Sequence, residues 1–267
     1  MVSTVRVTLA QLASTRAKEE NLRRALQAVE GAGDTDLLVL PEYLMGVENG
    51  GKLSPGYVRR LAEPLDGPFA SAILDASRER GFAVLFTMYL LEEGHVYNAA
   101  VLSDRGRVAA VYRKVHLFDA YGYRESSLFA PGPGPVTARL GEFTAGLAVC
   151  FDLRFPELFR AEALMGADLF LVPAAWYAGP YKLEQWLTLT TARAHENTAF
   201  LVAVGQTGEA FTGHSLVASP MGHVLLNLGV GEASATVELD RGAVEEARRK
   251  VPVLSLLRRD AYRGAYC

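Results

Sequence analysis

The segment Asp36-Leu37-Leu38-Val39-Leu40-Pro41 constrains the fold of this chain more than any other. Four apolar residues in a row carry no polar alternation. A strand made of them has apolar side chains on both faces and must be covered on both. Pro41 lacks an amide hydrogen and stops the strand. Phe143 to Val149, Leu169 to Val172 and Phe200 to Val204 are further apolar strand-like runs. Helical patterns lie between them. Lys18 to Glu30 places Leu22, Ala25, Leu26 and Val29 on one face, and Pro68 to Arg80 closes on Gly81 as a C-terminal cap. Two more helices are expected at Pro156 to Met165 and at about Leu183 to His195.

The remaining strands alternate or pair locally. Val5, Val7 and Leu9 alternate with Arg6 and Thr8. Phe82 to Leu91 and Tyr97 to Leu102 read as a hairpin around Glu92-Glu93-Gly94-His95, and Ser103 to Gly106 turns the chain into Val108 to Tyr112. Ser215 to Ala218 and Ala235 to Glu238 follow late in the chain. Buried parallel-type runs mixed with hairpins predict two sheets packed face to face with helices outside. This is an α/β fold, a four-layer α-β-β-α sandwich, expected to form one domain over residues 1–267. No repeat, low-complexity tract or linker divides it.

Three of the predicted strands end in residues that can do chemistry together. The run Phe143 to Val149 ends at Cys150, and a proline-started helical pattern follows. A thiol facing a helix N-terminus is drawn towards the nucleophilic thiolate. Glu42 follows Pro41, and Lys114 follows the run Val108 to Tyr112. Each has an unremarkable alternative: a core cysteine, a solvated loop acid, a surface lysine with a packed stem. In layered α/β folds, however, ligands gather beyond the carboxyl ends of the strands. A carboxylate, an ammonium and a thiol there supply the base, oxyanion stabiliser and nucleophile of acyl transfer.

The order Glu, Lys, Cys, spaced 72 and then 36 residues apart, resembles the nitrilase superfamily of carbon–nitrogen hydrolases. The matching segments are Leu-Pro-Glu42-Tyr, Tyr-Arg-Lys114-Val-His-Leu-Phe and Cys150-Phe-Asp-Leu-Arg-Phe-Pro-Glu. The likeness runs from Val5–Leu12 to Gly213–Val217, Pro220-Met221-Gly222 and the tail Arg258–Tyr262. It implies the same sandwich fold and a triad of Glu42, Lys114 and Cys150, with Glu125 as a second glutamate near the lysine. It also implies a homodimer or higher homo-oligomer, and the apolar tail Val251 to Leu257 lends that modest support. Phe151, Asp152 and Arg154 resemble the branch of ω-amidases and deaminated glutathione amidases, so the implied substrate is the primary amide of a small carboxylic acid. Phe151 would offer its backbone N–H to the oxyanion. Arg154, Arg124 and Lys182 are candidate partners for a substrate carboxylate, and Tyr43 and Trp176 are candidate pocket residues. The chain departs from this branch at Gly179-Pro180-Tyr181-Lys182-Leu183-Glu184, where the branch reads Gly-Pro-x-His-Trp-Glu. That leaves substrate identity open, with nitrile or N-carbamoyl hydrolysis as alternatives. A non-enzymic binding protein on this fold should have lost a triad member.

Composition sets bounds on everything else. Half the residues are hydrophobic and 21% are charged, as expected of a globular chain with a sizeable core. A net charge of −3 gives no electrostatic case for nucleic acid or an anionic membrane as partner. No apolar run reaches the roughly 20 residues that span a bilayer. No signal-peptide layout precedes the first strand, and Cys150 and Cys267 are the only cysteines, so a reducing cytoplasmic setting is expected. A bridge between the two would consume the candidate nucleophile. Neither a metal nor a cofactor is expected: no Cys/His cluster has zinc spacing, His195-Glu196 lacks the second histidine of a zinc helix, and no Gly-rich phosphate loop follows a strand. Gly213-His214-Ser215-Leu216-Val217 lacks the final glycine of a nucleophile elbow.

Overall fold

The structure, a computed structural model, describes residues 3–262. Cys267, and with it the conceivable Cys150–Cys267 bridge, lies outside the described residues. The first half comprises β1 (Thr4–Gln11), α1 (Lys18–Gly31), β2 (Leu37–Val39), α2 (Pro55–Leu61), α3 (Pro68–Arg80), β3 (Ala83–Glu92), β4 (His95–Asp104) and β5 (Arg107–Arg113). The second comprises β6 (Thr137–Leu140), β7 (Phe143–Leu147), α4 (Pro156–Leu164), β8 (Leu169–Ala174), α5 (Lys182–Glu196), β9 (Phe200–Gly205), β10 (Leu216–Ala218), β11 (Val224–Asn227), β12 (Ala233–Asp240), α6 (Arg241–Lys250) and α7 (Val253–Leu256).

Two six-stranded sheets result, in the orders β12-β1-β2-β3-β4-β5 and β11-β10-β9-β8-β7-β6. In each sheet three central strands pair in parallel, β1-β2-β3 and β7-β8-β9, and the outer pairs are antiparallel. The unalternating apolar runs fall in these parallel centres, where both faces are covered. Val7, Leu9, Leu37, Val39 and Leu85 face the second sheet and share a core with its Ala145, Leu147 and Leu171, which continues to Phe159 of α4 and Trp186 of α5. Leu38, Leu40, Val84 and Phe86 point the other way, onto Ala25 and Val29 of α1 and Phe69 and Ile73 of α3. The layers are therefore helix, sheet, sheet, helix, the expected α-β-β-α sandwich.

Local signals behave as their chemistry dictates. Gly81 closes α3 in the left-handed region at φ 73°, a conformation open to a residue without Cβ. Glu93 and Gly94 turn the β3–β4 hairpin with φ of 49° and 79°, the backbone that a two-residue turn requires. The elements not foreseen are those that bury little apolar surface. In α6 only Val244 and Ala247 are buried, and its start is fixed instead by Asp240, whose side chain accepts from Gly242 N at 2.8 Å. β6 and β11 are short edge strands, and α2 has seven residues. In the tail, Leu254 packs against the core while Leu256 is exposed. No helix among the described residues is long and apolar enough to cross a membrane.

One buried charge site gives the fold a pH dependence. Glu162 of α4 is fully buried, its Oε1 accepting from Leu147 N at 3.1 Å while Oε2 has no hydrogen-bond partner. Gly146 makes room for it, since a Cβ there would lie 2.5 Å from Glu162 Oε2. Burial, with Asp152 nearby, pushes this carboxyl well above the ordinary range. A carboxyl with a raised folded pKa contributes most below its unfolded value of about 4.3, and that contribution is lost as pH rises towards the folded value. Glu162→Gln removes the titration. The Tm of the variant relative to wild type should therefore increase from pH 5 to pH 8; a difference that does not change with pH would contradict this account.

Candidate active site

Glu42 lies just beyond β2, Lys114 follows β5 directly, and Cys150 lies just beyond β7, so the first sheet supplies two groups and the second sheet the third. The run that ends in Cys150 stops earlier than its apolarity suggests. β7 ends at Leu147, and Cys150 opens a 3-10 turn, Cys150–Arg154, with φ at 48°. Tyr43, directly after Glu42, has φ at 57°. A non-glycine residue in this region costs roughly 1–3 kcal/mol and persists only where its surroundings hold it.

The polar groups form one connected network. Lys114 Nζ donates to Glu42 Oε1 at 2.9 Å and lies 2.9 Å from Glu125 Oε2. Asn98 of β4 donates from Nδ2 to both carboxylates, to Glu42 at 2.8 Å and to Glu125 at 2.9 Å. The second Glu42 oxygen accepts from Ala175 N at 2.7 Å, and Glu125 Oε2 accepts from Phe118 N at 2.6 Å. Tyr43 donates its hydroxyl to Glu125 at 3.3 Å. Glu42, Lys114 and Glu125 are each 1% exposed or less, so no charge in the network is screened by water. Asn98 is the residue that sequence reasoning missed. Its one signal is a lone amide among the apolar residues of β4.

Burial raises the Glu42 carboxyl; Lys114 pulls it down and Glu125 pushes it up, and the balance lies above its ordinary value. For Lys114, burial acts to lower the pKa, but Glu125 and Glu42 together override it and hold the ammonium well above its usual range. The thiol differs from expectation. Burial first, and then the Glu42 charge, push Cys150 well above the ordinary thiol range, despite the lowering effect of Lys114 and of Ala175 N–H. The helix-terminus argument for a thiolate fails because a 3-10 turn separates Cys150 from α4 and burial outweighs it. Cys150 shares the cavity lining with Glu42 and Lys114, and a thiol whose pKa is raised needs a base to take its proton before it attacks.

Cys150, Glu42 and Lys114 form the base of a narrow cavity of about 330 Å³ including its open mouth. Tyr43, Phe151, Arg154 and Trp176, the four candidate substrate-binding residues, all line it, together with Phe118, Tyr177 and Lys182. Glu125 does not: it stands behind Lys114 with both oxygens engaged. Arg124 is exposed and lies outside the lining, whereas Arg154 and Lys182 are within it. Arg154 donates to Gln185 at 2.7 Å and sits 4.9 Å from the Trp176 ring, and its buried Nε has no partner. Among the described residues neither cation has a carboxylate partner. Lys182 Nζ rests 3.5 Å from the centre of the Tyr121 ring, bringing the 119–135 loop to the start of α5. His116 stacks on Phe155 at 3.7 Å between ring centres.

A fold, a buried Glu-Lys-Cys cluster and a small cavity at the strand ends together define the class. The chain belongs to the carbon–nitrogen hydrolase family, whose model matches residues 6–249. It is 32% identical over 255 residues to the deaminated glutathione amidase of Escherichia coli O157:H7, covering 93% of this chain and 95% of the relative. It is 38% identical over 236 residues to an (R)-stereoselective amidase of a Pseudomonas species, covering 86% and 82%. Among solved structures it resembles a mutant of the amidase from Nesterenkonia sp. AN1, with a TM-score of 0.77, 28% identity and coverage of 97% and 95%. That protein carries the acetamide moiety of fluoroacetamide on its active-site cysteine.

Proposed function

We propose that this protein hydrolyses the primary amide of a small carboxylic acid through a thioester on Cys150. The observation that carries the reading is the grouping of Cys150, Glu42 and Lys114 on one cavity, with Lys114 Nζ 2.9 Å from an oxygen of Glu42 and 2.9 Å from one of Glu125. Glu42 takes the thiol proton as sulfur attacks the carbonyl carbon. The Lys114 ammonium and the Phe151 backbone N–H stabilise the oxyanion, where one lost donor costs about 3 kcal/mol of barrier. Glu42 returns the proton to the departing nitrogen and ammonia leaves. Glu42 then deprotonates the water that attacks the thioester, which releases the carboxylic acid and restores the thiol. Glu125 acts through Lys114, keeping it charged and aimed.

The cavity supports a short substrate. Its walls are aromatic, and its unpaired cations, Arg154 and Lys182, suit a carboxylate at the far end of the acyl chain. ω-Amides of short dicarboxylic acids, such as 2-oxoglutaramate, have this shape. The relatives named as amidases support amide over nitrile.

The test compares kcat/KM for matched amide and nitrile pairs, with and without a terminal carboxylate. Amides should win, and the carboxylate should add about tenfold or more through a charge-assisted hydrogen bond. A nitrile preference would overturn the reaction assigned, and indifference to the carboxylate would overturn the substrate class.

A further inference from the structure

We propose that Asp152 is a positioning residue that sets the spacing of Cys150 from Lys114 by tying the two sheets together behind the nucleophile. Two residues from the cysteine, it is fully buried yet lies outside the cavity lining. Its carboxyl is used on both sides. Oδ2 accepts from Val149 N at 2.9 Å, which closes the turn that holds Cys150 at positive φ. The same oxygen accepts from the hydroxyl of Tyr112, on β5 of the other sheet, at 2.8 Å. Oδ1 accepts from His116 N at 3.0 Å and lies 2.7 Å from His116 Nδ1.

These partners flank Lys114 in sequence, two residues before it and two after. Glu42 has its own cross-sheet ties: Ala175 N to its carboxylate at 2.7 Å, and Gln206 Nε2 to its carbonyl at 2.8 Å. Those fasten the base to β8 and β9. The tie at Asp152 fastens the lysine segment to the cysteine turn itself. The role rests on the acyl-transfer reading above, in which thiolate, ammonium and carbonyl must meet within a few tenths of an ångström.

Asp152→Asn keeps the size of the side chain but leaves one acceptor oxygen in place of two, so donors face donors on one side. The expected result is a fall in kcat of about 100-fold, the scale of a 1 Å misplacement, with KM within about threefold. The pH midpoint for alkylation of Cys150 by iodoacetamide should also shift from wild type, because the spacing of the thiol from Lys114 and Glu42 sets it. Leu239→Ala, a core change far from the site, serves as the control for stability loss and should not move that midpoint. Tyr112→Phe removes only the cross-sheet donor and decides the matter if Asp152→Asn does not fold; a loss of about tenfold in kcat is expected.

The inference is overturned if a folded Asp152→Asn, or failing that Tyr112→Phe, keeps kcat within threefold of wild type. An alkylation midpoint that matches the control also overturns it. Failure here is separable from failure of the acyl-transfer reading, because a Cys150→Ala enzyme that remained active would end that reading whatever Asp152 does.

Discussion

Cys150→Ala is expected to abolish amide hydrolysis, by at least about 10⁴-fold, while the protein stays folded. The substitution removes one sulfur from a side chain that is 8% exposed at the floor of the cavity. It leaves in place the donors that shape the turn, Val149 N to Asp152 and Tyr112 O–H to Asp152. Alanine can hold the same turn, so the thermal transition should move little. The proposed chemistry has no substitute nucleophile, because every other group on the floor is spoken for: Glu42 and Lys114 bind each other, and Glu125 is sealed behind them. Turnover by the alanine variant within tenfold of wild type, measured as ammonia release, would rule out covalent catalysis at this residue.

Glu42→Gln should reduce kcat by about 10²- to 10⁴-fold, the scale of a lost general base. The amide also fits its surroundings poorly. Lys114 Nζ and Asn98 Nδ2 donate to one oxygen of Glu42, and Ala175 N donates to the other. Either orientation of a glutamine aims its NH2 at a donor. The pH profile identifies the group. Because the reaction needs Glu42 ionised and burial raises it, wild-type kcat/KM should climb with pH through a midpoint above the ordinary glutamate value of about 4.3. Lys114 is held well above its usual range, so no alkaline loss from that group is expected near pH 9. The variant should lack the acid limb. A variant that keeps the wild-type limb would show that another group is the base.

Why part of this site could be read from sequence and part could not follows from the range of the interactions. Glu42, Lys114 and Cys150 each end an apolar run, so local hydrophobicity and a proline or turn mark them. The doubly apolar run Leu37–Leu40 likewise dictated a layered fold before any coordinates. Asn98 carries no such mark: its importance comes from lying between two carboxylates that are 56 and 27 residues away along the chain. Asp152 is similar, with partners 40 residues distant on β5 and 36 residues distant just beyond it. The protonation state of Cys150 also escaped local reading. A helix N-terminus argues for a thiolate, but burial depends on how the two sheets close over the turn, and burial dominates. Elements that are mostly polar or exposed, such as α6 and the edge strand β11, were invisible for the converse reason: little of them is buried.

The most direct measurement is the intact mass of wild-type enzyme quenched in acid during turnover of a slow amide. Attack by Cys150 with loss of ammonia adds the acyl group and removes one hydrogen. The spectrum should therefore show that mass increase, peptide mapping should place it on Cys150, and the Cys150→Ala protein should not acquire it. Product formation with no adduct on Cys150 under conditions where chemistry is faster than deacylation, or an adduct mapped to any other residue, would contradict the mechanism.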